Sequence, residues 1–472
     1  MTDHSVPFFP VWNAPYAHGP IDACIEIPGS KSLTVRALLL AALADRPSII
    51  HGVLDSRDTS LFAEGLRVLG AQITPYASDS LRVTPLPPFP HAQQRSPHTL
   101  NIMCGLAGTV MRFLPPIAAL TGRPVHFDGD EAARRRPLGP LLDSLESLGA
   151  HIEYEGKRGF LPFTICGPLR APSSGIVEVD ASSSSQFFSA LLMLAPLLEA
   201  PVQIHSVGPV VSLPHIHMTV EALHQRGIAI DCRTNDLGAA VCRVQPCRPR
   251  GQDTHIEPDL SNAGPFLALA HITGGRVVIP HWPSFTTQAG DAWRSILPRL
   301  GARVSFTDEG LALQGPGAGE YDGFEGDFSD VGELIPTLVA IMLFARTRSV
   351  LRGIAHLRGH ETNRLAALVE QICALGGKAQ ETDDGLVIYP TSLHPTQMAT
   401  YEDHRMATFA AIVGAVVRGV SVENIATTSK TLPDFPQLWT RAVMTASPQS
   451  QDFSAVDKIT LTGTFSSSKE QL

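Results

Sequence analysis

The chain has 472 residues, 44% of them hydrophobic, enough for two large cores, and its net charge is −9. That charge speaks against a nucleic-acid partner, which needs a broad basic surface. No run of about 18 uncharged apolar residues marks a membrane span, and the opening MTDHSVPFFPVW lacks the basic start and apolar run of a secretory signal. Seven thinly spread cysteines (Cys24, Cys104, Cys166, Cys232, Cys242, Cys247, Cys373) predict reduced thiols in a cytoplasm. Cys242 and Cys247 have no second ligand pair at zinc-like spacing, so no metal is expected.

In chain order, the first elements read as strand 24–27, helix 31–44, strand 48–53, helix 59–69, then strands 71–75 and 80–84. The first helix is apolar almost all round and must be buried; the second is amphipathic and ends on Gly70, suited to a left-handed cap. The second helix type recurs at 141–150, 218–227, 292–302 and 365–377, with strand pairs after it. Short polar knots open six apolar helices, at Ser30-Lys31-Ser32, Ala107-Gly108-Thr109, Ser184-Ser185-Gln186, Ser261-Asn262-Ala263, Gly332-Glu333-Leu334 and His404-Arg405-Met406. From Ser32 through Ala107, Ser185, Asn262, Glu333 and Arg405 the steps are 75, 78, 77, 71 and 72 residues. One β-α-β-α-β-β unit is therefore used six times, in an α/β fold of two lobes with three units each. The sixth unit ends near Phe435–Ala442 without a strand pair, and the segment before Ser30 is expected to supply strands to it. The expected lobes are 30–255 and, discontinuously, 1–29 with 256–445; the Ser/Thr-rich 446–472 stretch is expected to be a mobile tail.

Function is expected at the helix openings, because helix N-termini carry unpaired N–H groups and partial positive charge. Lys31, Ser32 and Arg36 cluster cations and a hydroxyl at one such start, which reads equally as an anion site or a capped surface helix. A nucleotide P-loop is excluded, since Ser30 precedes Lys31 and no glycine run leads in. Around Gly108, small residues admit a ligand close to the backbone or allow tight packing. Four serines before Gln186 exceed the single one that a cap requires. Glu333 is a cap or a general base. The stretch His356 to Arg364 concentrates His, Arg, Glu and Asn at a helix entrance, and Arg405 and Lys430 add cations.

Together, PGSKSLT, CGLAGTVMRF, SSSSQF, EPDLSNA, GHETNRL, DHRMAT and KTLPDFP occur in the order of one family. Over about residues 22 to 443 the chain resembles 5-enolpyruvylshikimate-3-phosphate synthase (3-phosphoshikimate 1-carboxyvinyltransferase), in its actinobacterial form. The resemblance implies a two-lobed, inside-out α/β barrel that closes on its substrates. It implies transfer of the enolpyruvyl group of phosphoenolpyruvate to the 5-hydroxyl of shikimate 3-phosphate, in the shikimate route to chorismate and aromatic amino acids. A cytoplasmic monomer is implied, with no organic cofactor or metal and with glyphosate as an inhibitor.

Residue by residue, the resemblance assigns Lys31, Ser32, Arg36, Ser184, Ser185, Gln186, Ser212, Glu333, His356 and His360 to shikimate 3-phosphate. To phosphoenolpyruvate it assigns Lys31, Gly108, Arg136, Gln186, Arg364, Arg405 and Lys430. Glu333 matches the base for the 5-hydroxyl proton, and Glu361 or Lys31 the acid for C3. Four positions depart from the usual pattern. Val35 replaces asparagine, Asn363 aspartate, His356 asparagine and His360 lysine; the last change admits a pH-sensitive contact. The related UDP-N-acetylglucosamine enolpyruvyl transferase shares fold and donor, but its loop-cysteine motif is not seen. A non-catalytic anion-binding protein of the same fold would have lost some acid, base or cationic positions, and here all are filled.

Overall fold

The computed structural model describes residues 10–89 and 98–446. They divide into two compact units. One comprises Pro28–Glu257 and Phe285–Gln288; the other holds the described residues up to Ile27, Pro258–Ser284, and those from Ala289 onward. Each unit has its own hydrophobic core.

The Pro28–Glu257 unit contains three four-stranded sheets. One orders Thr254–His255, Ser48–His51, Ser80–Thr84 and Gln72–Ala77. The second orders Leu100–Met103, Val125–Asp128, Phe163–Cys166 and His151–Tyr154; the third, Ile176–Val179, Val202–Ser206, Ala240–Val244 and Ile230–Thr234. In each, the first pair is parallel and the others antiparallel. Parallel neighbours need a crossover, and in the second and third sheets the buried helices Gly108–Ala118 and Ser185–Leu194 supply it.

The other unit repeats the plan. Its sheets are Asp22–Cys24, Arg276–Ile279, Gly310–Gln314, Arg303–Thr307; then Glu325–Asp327, Ser349–Arg352, Leu386–Tyr389, Lys378–Glu381; and finally three strands, Gln397–Met398, Ser421–Glu423 and Val11–Asn13. Val11–Asn13 runs antiparallel to Ser421–Glu423, so the N-terminal segment fills the last repeat. The first strand expected of the first repeat is corrected. Asp22–Cys24 lies parallel to Arg276–Ile279, and the chain returning at Thr254–His255 takes the vacant edge beside Ser48–His51. The chain changes unit just after Ile27, and both edges present the same pairing groups, so local pattern alone does not choose between them.

The apolar helices run through the cores. Every residue from Leu260 to Ile272 is buried, as is all of His404–Gly414. The Leu260–Thr273, Ile335–Met342 and His404–Gly414 helices pack on one another. The amphipathic type is illustrated by Arg57–Leu69, begun by a Ser56/Thr59 capping box and ended by Gly70 at φ 115°. It buries Phe62, Ala63, Leu66 and Leu69; removing the Phe62 ring alone would cost about 3–5 kcal/mol.

Two further expectations change. Cys232 and Cys242 face each other in register on antiparallel strands, with Cα atoms 4.0 Å apart, and form a disulfide rather than two thiols. The Phe285–Gln288 segment belongs with the Pro28–Glu257 unit and not with the residues that flank it. Of the 446–472 stretch expected to be a tail, all but Ala446 lies outside the described residues. Among the described residues no helix is long and apolar enough to cross a membrane.

Candidate active site

In the Pro28–Glu257 unit, three buried helices start in polar side chains. Ser30 caps the first, accepting from Leu33 N at 3.5 Å. Lys31 Nζ donates to Asp58 Oδ2 at 3.3 Å. Arg36, 2% exposed, donates from Nε to Thr219 Oγ1 (2.8 Å), from Nη1 to Ser32 O (3.0 Å) and from Nη2 to His215 O (3.1 Å). Thr219 and His215 belong to the Leu213–Gln225 helix, whose cap is Ser212. Arg36 therefore locks the Lys31 opening to the Ser212 opening. Ser212 sits at φ 54°, ψ 57°, left-handed backbone that a residue with a Cβ adopts at a cost and that concentrates at working sites.

At the second opening Ala107 offers no side-chain cap, and Thr109 Oγ1 is buried with no hydrogen-bond partner among the described residues. Two guanidinium groups converge over Gly108: a Cβ there would lie 2.6 Å from Arg112 Nη1 and 3.2 Å from each terminal nitrogen of Arg136. Arg136 Nη1 also donates to Leu106 O at 3.3 Å. Arg112 Nη1 donates to Gln186 Oε1 at 3.1 Å, which ties this opening to the serine run. There Ser184 is the cap, accepting from Gln186 N at 3.4 Å, and Ser185 Oγ lies 3.5 Å from His215 Nδ1.

In the other unit, charged groups form one connected network. Arg364, 2% exposed, is gripped by both oxygens of Asp403 (Nε 2.8 Å, Nη2 3.2 Å) and by Glu361 Oε2 at 3.0 Å. Burial alone would disfavour its charge, but the Asp403 and Glu361 carboxylates more than reverse this and hold the guanidinium firmly protonated. Lys430 Nζ reaches the second Glu361 oxygen at 2.6 Å. Asp403 also caps the His404–Gly414 helix through Arg405 N at 2.8 Å. Arg405 Nη1 donates to Ser261 O (3.0 Å), Ser261 Oγ to Glu333 Oε2 (3.2 Å), and Arg405 Nη2 lies 3.8 Å from the same oxygen. Arg364 Nη1 is 3.0 Å from His360 Nδ1. Arginine only donates, so Nδ1 accepts, and the neutral ring carries its proton on Nε2. The His356 ring lies over Gly332, 5.9 Å from His360.

Hydroxyls and guanidinium groups at helix openings suit phosphate and carboxylate oxygens, while Glu333 and Glu361 are carboxylates set beside cations. The family model of EPSP synthase (3-phosphoshikimate 1-carboxyvinyltransferase) matches residues 15–439. The chain belongs to the EPSP synthase family. It is 49% identical over 441 residues to the 3-phosphoshikimate 1-carboxyvinyltransferase of Kocuria rhizophila, covering 92% of this chain and 96% of that one. The protein of the same name from Bifidobacterium longum is 44% identical over 438 residues, covering 91% and 97%. Among solved structures, EPSP synthase of Acinetobacter baumannii superposes with a TM-score of 0.73 at 20% identity, covering 92% of this chain and 98% of that one, which shows the shared fold.

Within this EPSP synthase frame, the residues expected from the sequence fall into two clusters, one per unit. Lys31, Ser32, Arg36, Gly108, Arg136, Ser184, Ser185, Gln186 and Ser212 lie in the first; Glu333, His356, His360, Glu361, Arg364, Arg405 and Lys430 lie in the second. Sequence reasoning passed over Arg112 and Asp403, although each signals itself as a charge inside or at the cap of an apolar helix. It also left Ser261-Asn262 without a role: Ser261 contacts Glu333, and Asn262 Nδ2 donates to Thr431 O at 2.9 Å, beside Lys430. Asn363, at the usual aspartate position, still caps its helix by accepting from Ala366 N at 3.3 Å. Val35 is fully buried in the core. Cys104 is a core residue too, its thiol pushed up by burial and then by Asp128, which excludes a ready nucleophile.

Proposed function

We propose that this chain transfers the enolpyruvyl group of phosphoenolpyruvate to the 5-hydroxyl of shikimate 3-phosphate, releasing phosphate. Membership of the EPSP synthase family, at up to 49% identity across nearly the whole chain, carries this reading. The site chemistry supports it, because the substrates bring two phosphates and a carboxylate to a set of helix ends, serines and cations.

Lys31, Ser32, Arg36, Ser184, Ser185, Gln186 and Ser212, with His356 and His360, hold shikimate 3-phosphate. Gly108, Arg136, Arg364, Arg405 and Lys430, with Lys31 and Gln186, hold phosphoenolpyruvate. Glu333 takes the proton of the 5-hydroxyl as its oxygen attacks C2. Glu361 or Lys31 delivers a proton to C3, so that C2 becomes electrophilic. The resulting tetrahedral intermediate loses phosphate as C3 gives up a proton, which restores the enol double bond. No step needs an electron carrier, so no organic cofactor enters the scheme. The protein acts as a cytoplasmic monomer without nucleic acid; its net charge of −9 supports the last point.

Phosphate release is the test. It is expected only when both shikimate 3-phosphate and phosphoenolpyruvate are present. Release with UDP-N-acetylglucosamine as acceptor instead would overturn the reading. Deuterium incorporation at C3 in heavy water, compared in Glu361→Gln and Lys31→Met, identifies the acid: the variant that stops exchange has lost it.

A further inference from the structure

A cavity of about 180 Å³ lies inside the Pro28–Glu257 unit and shares no residue with the site above. Its apolar wall includes Leu33, Ala37 and Leu40 from the Lys31–Ala42 helix, Met218 and Ala222 from the Leu213–Gln225 helix, and Ile256. Arg226 also lines it, yet is only 2% exposed. Its hydrogen bonds run to neutral acceptors, Nη1 to Arg250 O at 3.1 Å and Nη2 to Thr254 Oγ1 at 3.3 Å. Among the described residues no carboxylate pairs with it, and burial alone lowers its proton affinity, to a pKa of about 10.

Buried guanidinium groups are ordinarily paired, as Arg364 is in the other unit. Two carboxylates also border the cavity, each bonded to neutral donors rather than to Arg226. Glu257 Oε2 accepts from Thr286 Oγ1 at 2.5 Å and Gln288 Nε2 at 2.8 Å, and Glu221 Oε1 accepts from Gln225 Nε2 at 2.9 Å. What remains is a buried guanidinium with no carboxylate bonded to it among the described residues, beside a partly open space with polar and apolar walls, close in size to the about 150 Å³ that accepts a benzene-like ring.

We propose that this cavity binds a small carboxylic acid with a ring-sized hydrocarbon body, its carboxylate on Arg226 and its body against Leu33, Ala37, Leu40, Met218 and Ala222. A carboxylate fits better than a phosphate, because it brings a single negative charge beside Glu221 and Glu257 and matches the guanidinium fork. The helix that forms one wall also carries Lys31, Ser32 and Arg36, so an occupant bears directly on the element that opens the site.

Methyl NMR of the full chain, with benzoate as probe, tests this without any turnover, so its outcome is separate from that of the transfer reaction. Benzoate is expected to shift the Met218 methyl signal saturably, and benzyl alcohol to bind at least tenfold more weakly. Arg226→Met is expected to weaken benzoate at least tenfold, and Ala222→Leu, which fills the space, to abolish the shift. An unmoved Met218 signal, equal binding of benzyl alcohol, or an unchanged benzoate affinity in Arg226→Met would overturn the proposal. The comparison of benzoate with benzyl alcohol uses the unaltered protein and stands even where a variant does not fold.

Discussion

The helix openings of the two units hold their cations differently. In the Pro28–Glu257 unit Lys31 donates to the Asp58 carboxylate, but the arginines bond to neutral groups: Arg36 donates to Thr219 and to the carbonyls of Ser32 and His215, Arg112 to the Gln186 amide, and Arg136 to the Leu106 carbonyl. In the other unit, Arg364 and Lys430 are held by Asp403 and Glu361, and Arg405 lies near Glu333. A neutral acceptor fixes a guanidinium without cancelling its charge, whereas a carboxylate beside it opposes its pull on an anion; two unit charges about 4 Å apart interact by about 4 kcal/mol at an effective dielectric of 20. The same helix start, repeated, thus carries arginines bonded to neutral groups in one unit and arginine and lysine paired with carboxylates in the other.

The hardest test of that contrast is Glu333→Gln, which removes the carboxylate proposed as the base and keeps the shape. Turnover is expected to fall about 10²–10⁴-fold, with shikimate 3-phosphate binding retained by calorimetry; full activity would remove Glu333 from the chemistry. Asp403→Asn addresses the carboxylate-held cations. It strips charge from a buried partner of Arg364, and denaturant unfolding should show a loss of about 3–5 kcal/mol. A loss below about 1 kcal/mol would mean the pairing is as slight as a surface salt bridge.

Acid is expected to act on one unit more than the other. His271, in the Leu260–Thr273 helix, is fully buried, packs edge-on against Tyr321, and has no hydrogen-bond partner for either ring nitrogen among the described residues. Burial lowers its pKa from 6.5 to about 3. The folded form therefore binds fewer protons than the unfolded form, so this contribution is complete above pH 6.5 and is lost as pH falls below it. Between pH 7 and 5 the loss is about 2 kcal/mol, and the unfolding midpoint of His271→Leu should be flatter over that interval. Equal slopes would show that the ring is solvated before unfolding.

The smallest effect concerns the neutral-held cations. In Gly108→Ala the added methyl displaces the Arg112 guanidinium, and KM for phosphoenolpyruvate should rise about tenfold, or ~1.4 kcal/mol. Stability should not fall, because alanine is the better helix former. A lower Tm with unchanged KM would place Gly108 in packing alone.

Hydrophobic period and spacing carried the repeat, the two helix types and most strand pairs, since each depends on residues close in the chain. The Ser80–Thr84 strand and the Gly70 cap lie where alternation and glycine place them. The two clusters of charged and hydroxyl residues were legible in outline for the same reason: a polar group at the start of an apolar helix is a local anomaly. The partners of those groups were not. Arg36 meets Thr219 across 183 residues, and Arg112 meets Gln186 across 74, contacts that follow from packing rather than spacing.

The amino-acid order by itself determined six similar units, their buried and amphipathic helices, and the openings where charge gathers. Tertiary structure alone decided which edge received Asp22–Cys24 and which received Thr254–His255, because equivalent strand edges offer identical backbone donors and acceptors. It also decided that Cys232 meets Cys242, that Arg226 is buried without a paired carboxylate among the described residues, and that Arg36 meets Thr219 while Arg364 meets Asp403 and Glu361. Local periodicity specifies which face of an element is apolar; the neighbour that covers that face is selected only when distant segments compete for it.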